Sequence, residues 1–174
     1  MAMLISAFIL VIPTSLLLKK VLRDRFMELV QDMRIAFIGH KRIPSREGGV
    51  EIVVDELSSR MSARGNRVVV YNRKGHNVAG AEFDNTVNAS DKPFSYQGVQ
   101  VVPVTTIDAK GMAALSSSFF ATLKAIAAKP DVIHYHAEGP CVMLRLAHWA
   151  GIRTVATIHG LDWQRAKWGL SLIH

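Results

Sequence analysis

Cysteine is almost missing from this chain: Cys141 is the only one in 174 residues. A lone cysteine excludes an intramolecular disulfide scaffold and a cysteine zinc cage, and it is consistent with a reducing compartment. Acidic residues are also scarce, 14 against 21 lysines and arginines, for a net charge of +7. That excess suits an anionic partner, whether nucleic acid, a membrane face or a phosphorylated ligand, and does not choose among them. Charged residues make up only 20% of the chain and apolar ones 49%, which excludes an intrinsically disordered segment and a polytopic membrane protein. Repeats and low-complexity tracts are absent. At ~150 residues per domain the length holds one core and excludes a large multidomain enzyme.

The longest uncharged run, Ala2 to Leu18, is followed directly by Lys19, Lys20, Arg23 and Arg25. A cleavable signal peptide carries its charges before the apolar stretch, so that reading is disfavoured. As a membrane anchor the run is marginal against the usual ~20 residues, and Pro13 bends it; its basic flank would then face the cytoplasm. The remaining readings are a packed N-terminal helix or a translated extension ahead of a working start at Met33. The last of these is preferred, with residues 1–32 as an apolar and basic helix or extension and the domain beginning at Met33.

From Arg34 onward, short β-rich runs alternate with longer helical ones, the pattern of an α/β protein with a parallel sheet and flanking helices. Strands are expected at Arg34 to Gly39, Arg67 to Tyr71, Val99 to Val104, Asp131 to His136 and Thr154 to His159. Helices are expected at Val50 to Arg64, Gly111 to Lys129 and Cys141 to Ala150. In the first helix Val50, Val53, Val54, Leu57 and Met61 form the apolar face. Asn72 to Gly98 reads as an irregular excursion. Ligands in such sheets collect at the C-terminal ends of strands, which directs attention to the loops after His40, His136 and His159.

The first loop, HKRIPSREGGVE, places Gly48 and Gly49 before a helix, where free amides and the helix dipole favour an anion and missing side chains let a phosphate approach. Lys41, Arg42 and Arg46 add positive charge. The loop is neither a Walker motif nor a Rossmann GxGxxG, and a flexible hinge is an equally simple use of two glycines. His134 and His136 share a strand face, and with His159 they suggest a metal triad, hence a histidine-metal hydrolase; hydrogen-bonding histidines are the alternative. His76, His148 and His174 receive no role. The closing HGLDWQRAKWG combines a histidine, an aspartate, cations and the tryptophans Trp163 and Trp168, which suits carbohydrate stacking or simply anchors a loop.

IAFIGHKRIPSREGGVE, RVVVYNR, DVIHYHAEGP and TVATIHGLDWQRAKWG resemble, in order, the N-terminal domain of family 4 glycosyltransferases, particularly the bacterial rhamnosyltransferase-like branch that builds surface polysaccharides. The resemblance covers Met33 to about Gly169. It implies the N-terminal, Rossmann-like, acceptor-side half of a GT-B fold, a nucleotide-sugar donor, a glycan or lipid-linked acceptor, and retaining transfer with no metal and no other cofactor. Nucleic acid is not among the implied partners. The implied location is cytoplasmic, with association at the inner membrane face. By the same resemblance Gly48 and Gly49 approach the donor diphosphate, His159 lies beside the transferred sugar, and Arg46, Glu138 and Asp162 line the acceptor side. Residues 170–174 form a short tail where the family continues into a donor domain with a glutamate-bearing motif, so the resemblance implies an incomplete fragment, inactive alone. A non-catalytic sugar- or phosphate-binding domain is the rival reading.

Overall fold

The computed structural model describes residues 18–22, 32–46, 48–74, 92–107, 109 and 112–159. The chain divides into two compact units, Met1–Asp32 and Met33–His174. In the first, residues 18–22 are helical and exposed, while most of the apolar run Ala2 to Leu18 lies outside the described residues. Among the described residues no helix is long and apolar enough to cross a membrane.

The second unit is built on strands β1 (Arg34–Ile38), β2 (Arg67–Arg73), β3 (Phe94–Tyr96), β4 (Val99–Val104), β5 (Val132–His136) and β6 (Arg153–Thr157). Between them run helices α1 (Gly49–Ala63), α2 (Met112–Ala128), α3 (Glu138–Cys141) and α4 (Leu144–Trp149). The strands form one sheet in the order β3-β4-β2-β1-β5-β6. All pair in parallel except β3, which runs antiparallel to β4. The expected Rossmann-like sheet with flanking helices is the observed fold. The order turns back between β1 and β5, so the connections leaving these neighbours diverge and open a crevice at their C-terminal ends.

Alternation along the strands divides the core between the two faces. Ile35, Phe37, Val68, Val70, Val99 and Val101 pack with Val54 of α1 on one side. Ala36, Ile38, Tyr71, Ile133 and Tyr135 pack with Ala121 and Ala125 of α2 and Ala147 of α4 on the other. Because both faces are covered, the central strands read as continuous apolar runs.

Several expectations need correction. Val53 of α1 is exposed, and the buried positions are Glu51, Val54, Asp55 and Ser58. The helix is rotated from the purely apolar stripe because its polar groups find partners: Glu51 accepts from the Lys41 amide at 3.0 Å and the Ser58 hydroxyl donates to the Asp55 carbonyl at 3.2 Å. The stretch read as one helix from Cys141 to Ala150 is two short ones, the first beginning at Glu138. The excursion read from Asn72 to Gly98 loses both ends to the sheet, since β2 runs on through Asn72 and Arg73 and Phe94–Tyr96 pairs with β4. Residues 75–91 lie outside the described residues. Helix α1 ends as its glycine suggested: Gly65 takes φ +89°, and the amide of Asn66 bonds back to the Met61 carbonyl at 3.3 Å.

Candidate functional site

Strand β1 leaves the sheet at Gly39, whose φ is +117°. A Cβ at this position would collide with the carbonyl oxygen of His136, so the ends of β1 and β5 approach as they do because residue 39 has no side chain. The next residue, His40, is buried beneath the loop that follows. Its Nε2 lies 3.0 Å from Oδ1 of Asn72. The Asn72 amide is itself fixed by Ile43, whose N–H donates to Oδ1 at 3.0 Å and whose carbonyl accepts from Nδ2 at 2.8 Å. Since Oδ1 has no hydrogen, His40 Nε2 is the donor, and in the neutral ring Nδ1 carries the lone pair. Burial holds the ring neutral, pushing its pKa down to about 4 against the opposing pull of the Asn72 bond and the Glu51 charge. The loop read as a possible hinge is thus tied to the end of β2 through Asn72, and also through the Arg73 amide, which donates to the Lys41 carbonyl at 2.7 Å.

At the end of that loop Gly48 is the N-cap of α1 and Gly49 its first residue. A Cβ on Gly48 would meet only the flexible carboxylate of Glu51, and a Cβ on Gly49 would meet open space. Neither residue has a positive φ. The fold therefore gives no strong reason for glycine at either position. Glu51 stands in the first turn of α1, where a carboxylate complements the positive end of the helix dipole, so this helix start already has an internal anion. Its charge also opposes the effect of burial on Arg73, whose Nε is buried without a partner among the described residues.

On the other side of the crevice, β5 presents His134 and His136 on one face, packed against Phe37 with centroid separations of 5.3 and 5.7 Å. The two imidazoles are 4.2 Å apart, and His159 continues the stack 5.2 Å beyond His136. His136 Nδ1 and His159 Nε2 are 2.9 Å apart, within hydrogen-bond distance. His134 Nε2 is 2.7 Å from the Thr157 hydroxyl. Burial, helped by the neighbouring rings of His134, His40 and His159, pushes the pKa of His136 down to about 3, and burial likewise lowers that of His134. The triad suggested as a metal cage is instead a stack of hydrogen-bonded rings, and among the described residues no three His, Cys, Asp or Glu side chains are grouped to hold a metal.

The structure therefore brings His159, just past the end of β6, beside His136 at the C-terminal end of β5. Arg46 stands on the outer side of α1, its guanidinium 3.6 Å from Glu56, both side chains being well exposed. Glu138 is the first residue of α3, directly after the β5 loop. Asp162, Trp163 and Trp168 lie outside the described residues. Sequence reasoning gave no role to His40, Glu51, Asn72 or Arg73, and named hydrogen bonding among His134, His136 and His159 only as the alternative to a metal triad. A polar Asn-Arg step closing an apolar strand was the one available signal for Asn72 and Arg73.

Residues 47–174 match the family model described as Glycosyltransferase Family 4. No curated protein matches the chain.

Proposed function

The chain belongs to glycosyltransferase family 4, and from that premise we propose a retaining transferase that moves a hexosyl, specifically rhamnosyl, unit from a nucleotide sugar to a glycan or lipid-linked acceptor of a bacterial surface polysaccharide. Family membership itself implies a glycosyl transferase with a nucleotide-sugar donor and an acceptor. The sugar, the stereochemistry and the acceptor rest on the motif resemblance, and the placement of the donor rests on one observation: Gly49 opens α1 with open space where a side chain would stand. Glycine in a helix costs ~1 kcal/mol relative to alanine. Its presence is accounted for by a ligand that needs to reach the backbone. In this reading the amides at Gly48 and Gly49 receive the donor diphosphate, and the positive helix end stabilises the charge that grows as the sugar departs. Glu51, which abuts Gly48, swings aside, one anion replacing another. His159 lies beside the transferred sugar. Arg46, Glu138 and Asp162 are assigned to the acceptor, which is presented at the cytoplasmic side of the membrane, and residues 33–169 form the acceptor-side domain.

The test is sugar transfer by a complete family 4 enzyme carrying residues 33–169 as its acceptor-side domain, from uridine, guanosine and thymidine diphosphate sugars to membrane-extract acceptors, with the anomeric configuration of the product read by NMR. Transfer with retention is expected. An inverted product overturns the stereochemical reading, and glycan binding without transfer favours a non-catalytic sugar-binding domain.

A further inference from the structure

The His136–His159 contact assigns a second histidine to the site. We propose that His136 is a positioning residue that fixes the tautomer of His159, so that His159 meets its substrate as a hydrogen-bond donor through Nδ1–H. This rests on the reading of His159 as the group beside the transferred sugar.

His136 Nδ1 and His159 Nε2 are 2.9 Å apart, so one proton lies across the bond and either nitrogen can own it. The surroundings of His136 decide between them. The ring is fully buried, and its other nitrogen, Nε2, has no partner among the described residues. If His159 donated, His136 would carry its proton on Nε2 and an N–H would be buried unpaired. If His136 donates, only a lone pair is left bare. Orphaned buried N–H groups are the rarer and costlier case, so the proton belongs to His136 Nδ1. A cationic His136, which would satisfy neither nitrogen better, is opposed by burial.

The ring cannot turn to relieve this. It is stacked on Phe37, His134 and His159, and its own main chain lies against Gly39. Its position is therefore set by the sheet, through the pairing of His136 with Thr157 and the close approach of β1. With Nε2 of His159 accepting, the proton of a neutral His159 sits on Nδ1. The ring is then suited to donate to a sugar hydroxyl or a diphosphate oxygen. It is not suited to take a proton through Nε2, whose lone pair is already engaged.

The experiment is nitrogen NMR of the full chain with labelled histidine, the His159 signals being assigned by their loss in His159→Gln. The wild type is expected to show His159 protonated at Nδ1, together with a scalar coupling between His159 Nε2 and a protonated His136 Nδ1. His136→Asn, whose side-chain amide can still donate from nearly the same place, should preserve the Nδ1–H form. His136→Leu should release His159 to the Nε2–H form that predominates in free imidazole side chains. A wild-type His159 protonated at Nε2, or an unchanged Nδ1–H form in a folded His136→Leu, overturns the proposal. The wild-type spectrum decides the matter even if His136→Leu fails to fold. Because tautomers are read without substrate, failure of the reading of His159 as the group beside the sugar shows separately, as sugar transfer by a complete enzyme carrying this domain that survives loss of His159.

Discussion

Gly39 lies so close to the main chain of His136 that a single methyl group on it would overlap the His136 carbonyl oxygen. This contact joins the ends of β1 and β5, and with them the two sides of the crevice.

Gly39→Ala is therefore expected to be among the most damaging single substitutions. It adds an overlap to a φ of +117° that side-chain-bearing residues rarely adopt. A loss of about 3 kcal/mol or more in urea unfolding is the expected outcome, from steric conflict plus backbone strain. Stability within 1 kcal/mol of wild type would show that the strand ends separate easily.

Acid should weaken the fold before carboxylates titrate. His40 and His136 have folded pKa values of about 4 and about 3 against an ordinary 6.5. Between pH 6.5 and these values the unfolded chain binds protons that the folded chain refuses, so stability rises with pH. The contribution is fully present above pH 6.5 and is lost as pH falls toward the folded values. Each ring contributes a slope of up to ~1.4 kcal/mol per pH unit. Urea unfolding at pH 7, 6 and 5 should reveal this decline, and His40→Leu should make it shallower. Equal stability at pH 7 and pH 5 contradicts the assignment.

His159→Ala should separate function from folding. The residue is half-buried at the rim of the sheet, so water can replace its bond to His136. Unfolding should shift by about 1 kcal/mol or less, while sugar transfer by a complete enzyme carrying this segment falls by at least ~10²-fold. A large stability loss with transfer intact would make His159 a structural residue.

Residues 33–174 should fold without the preceding segment, because Met33 begins the second compact unit and its own amide is bonded to Asn66 Oδ1 at 3.2 Å. Thermal unfolding of that fragment should be cooperative, with a midpoint within a few degrees of the full chain. An insoluble or non-cooperative fragment would make the N-terminal segment part of the core.

The architecture was legible because its signals are local. The predominantly apolar strands at residues 34–38 and 99–104, and the glycine stop at Gly65, depend only on neighbours along the chain. Helix α2 shows the limit of such patterns. Its buried positions are Ser116, Ser117, Ser118, Ala121, Thr122 and Ala125, with Phe120 and Ile126 partly buried against the core, while Leu115, Phe119 and Leu123 stand exposed. Hydrophobicity alone would not bury the three serines and Thr122 ahead of Leu115, Phe119 and Leu123. Small side chains let it approach the sheet closely, and the hydroxyls are satisfied locally, as when Ser118 donates to the Ala114 carbonyl at 2.7 Å, or across the core, where Thr122 meets the Tyr135 hydroxyl at 3.0 Å.

The site divides in the same way. Taken by itself, the sequence determined that glycines precede a helix and that His136 closes a strand, while the strand expected through His159 ends at Thr157 and leaves that histidine two residues beyond it. The sequence left open whether His134, His136 and His159 form a metal cage or a hydrogen-bonded stack, because either needs only proximity. Ring orientation decided this, and it follows from strand register: His136 faces Thr157, His134 faces Val155, and Phe37 supports both rings from β1. The partnership of His40 with Asn72 spans 32 residues and exists only because β1 and β2 lie side by side. Tertiary structure alone creates such pairs, since desolvation and hydrogen-bond direction are properties of the packed interior and not of residue order.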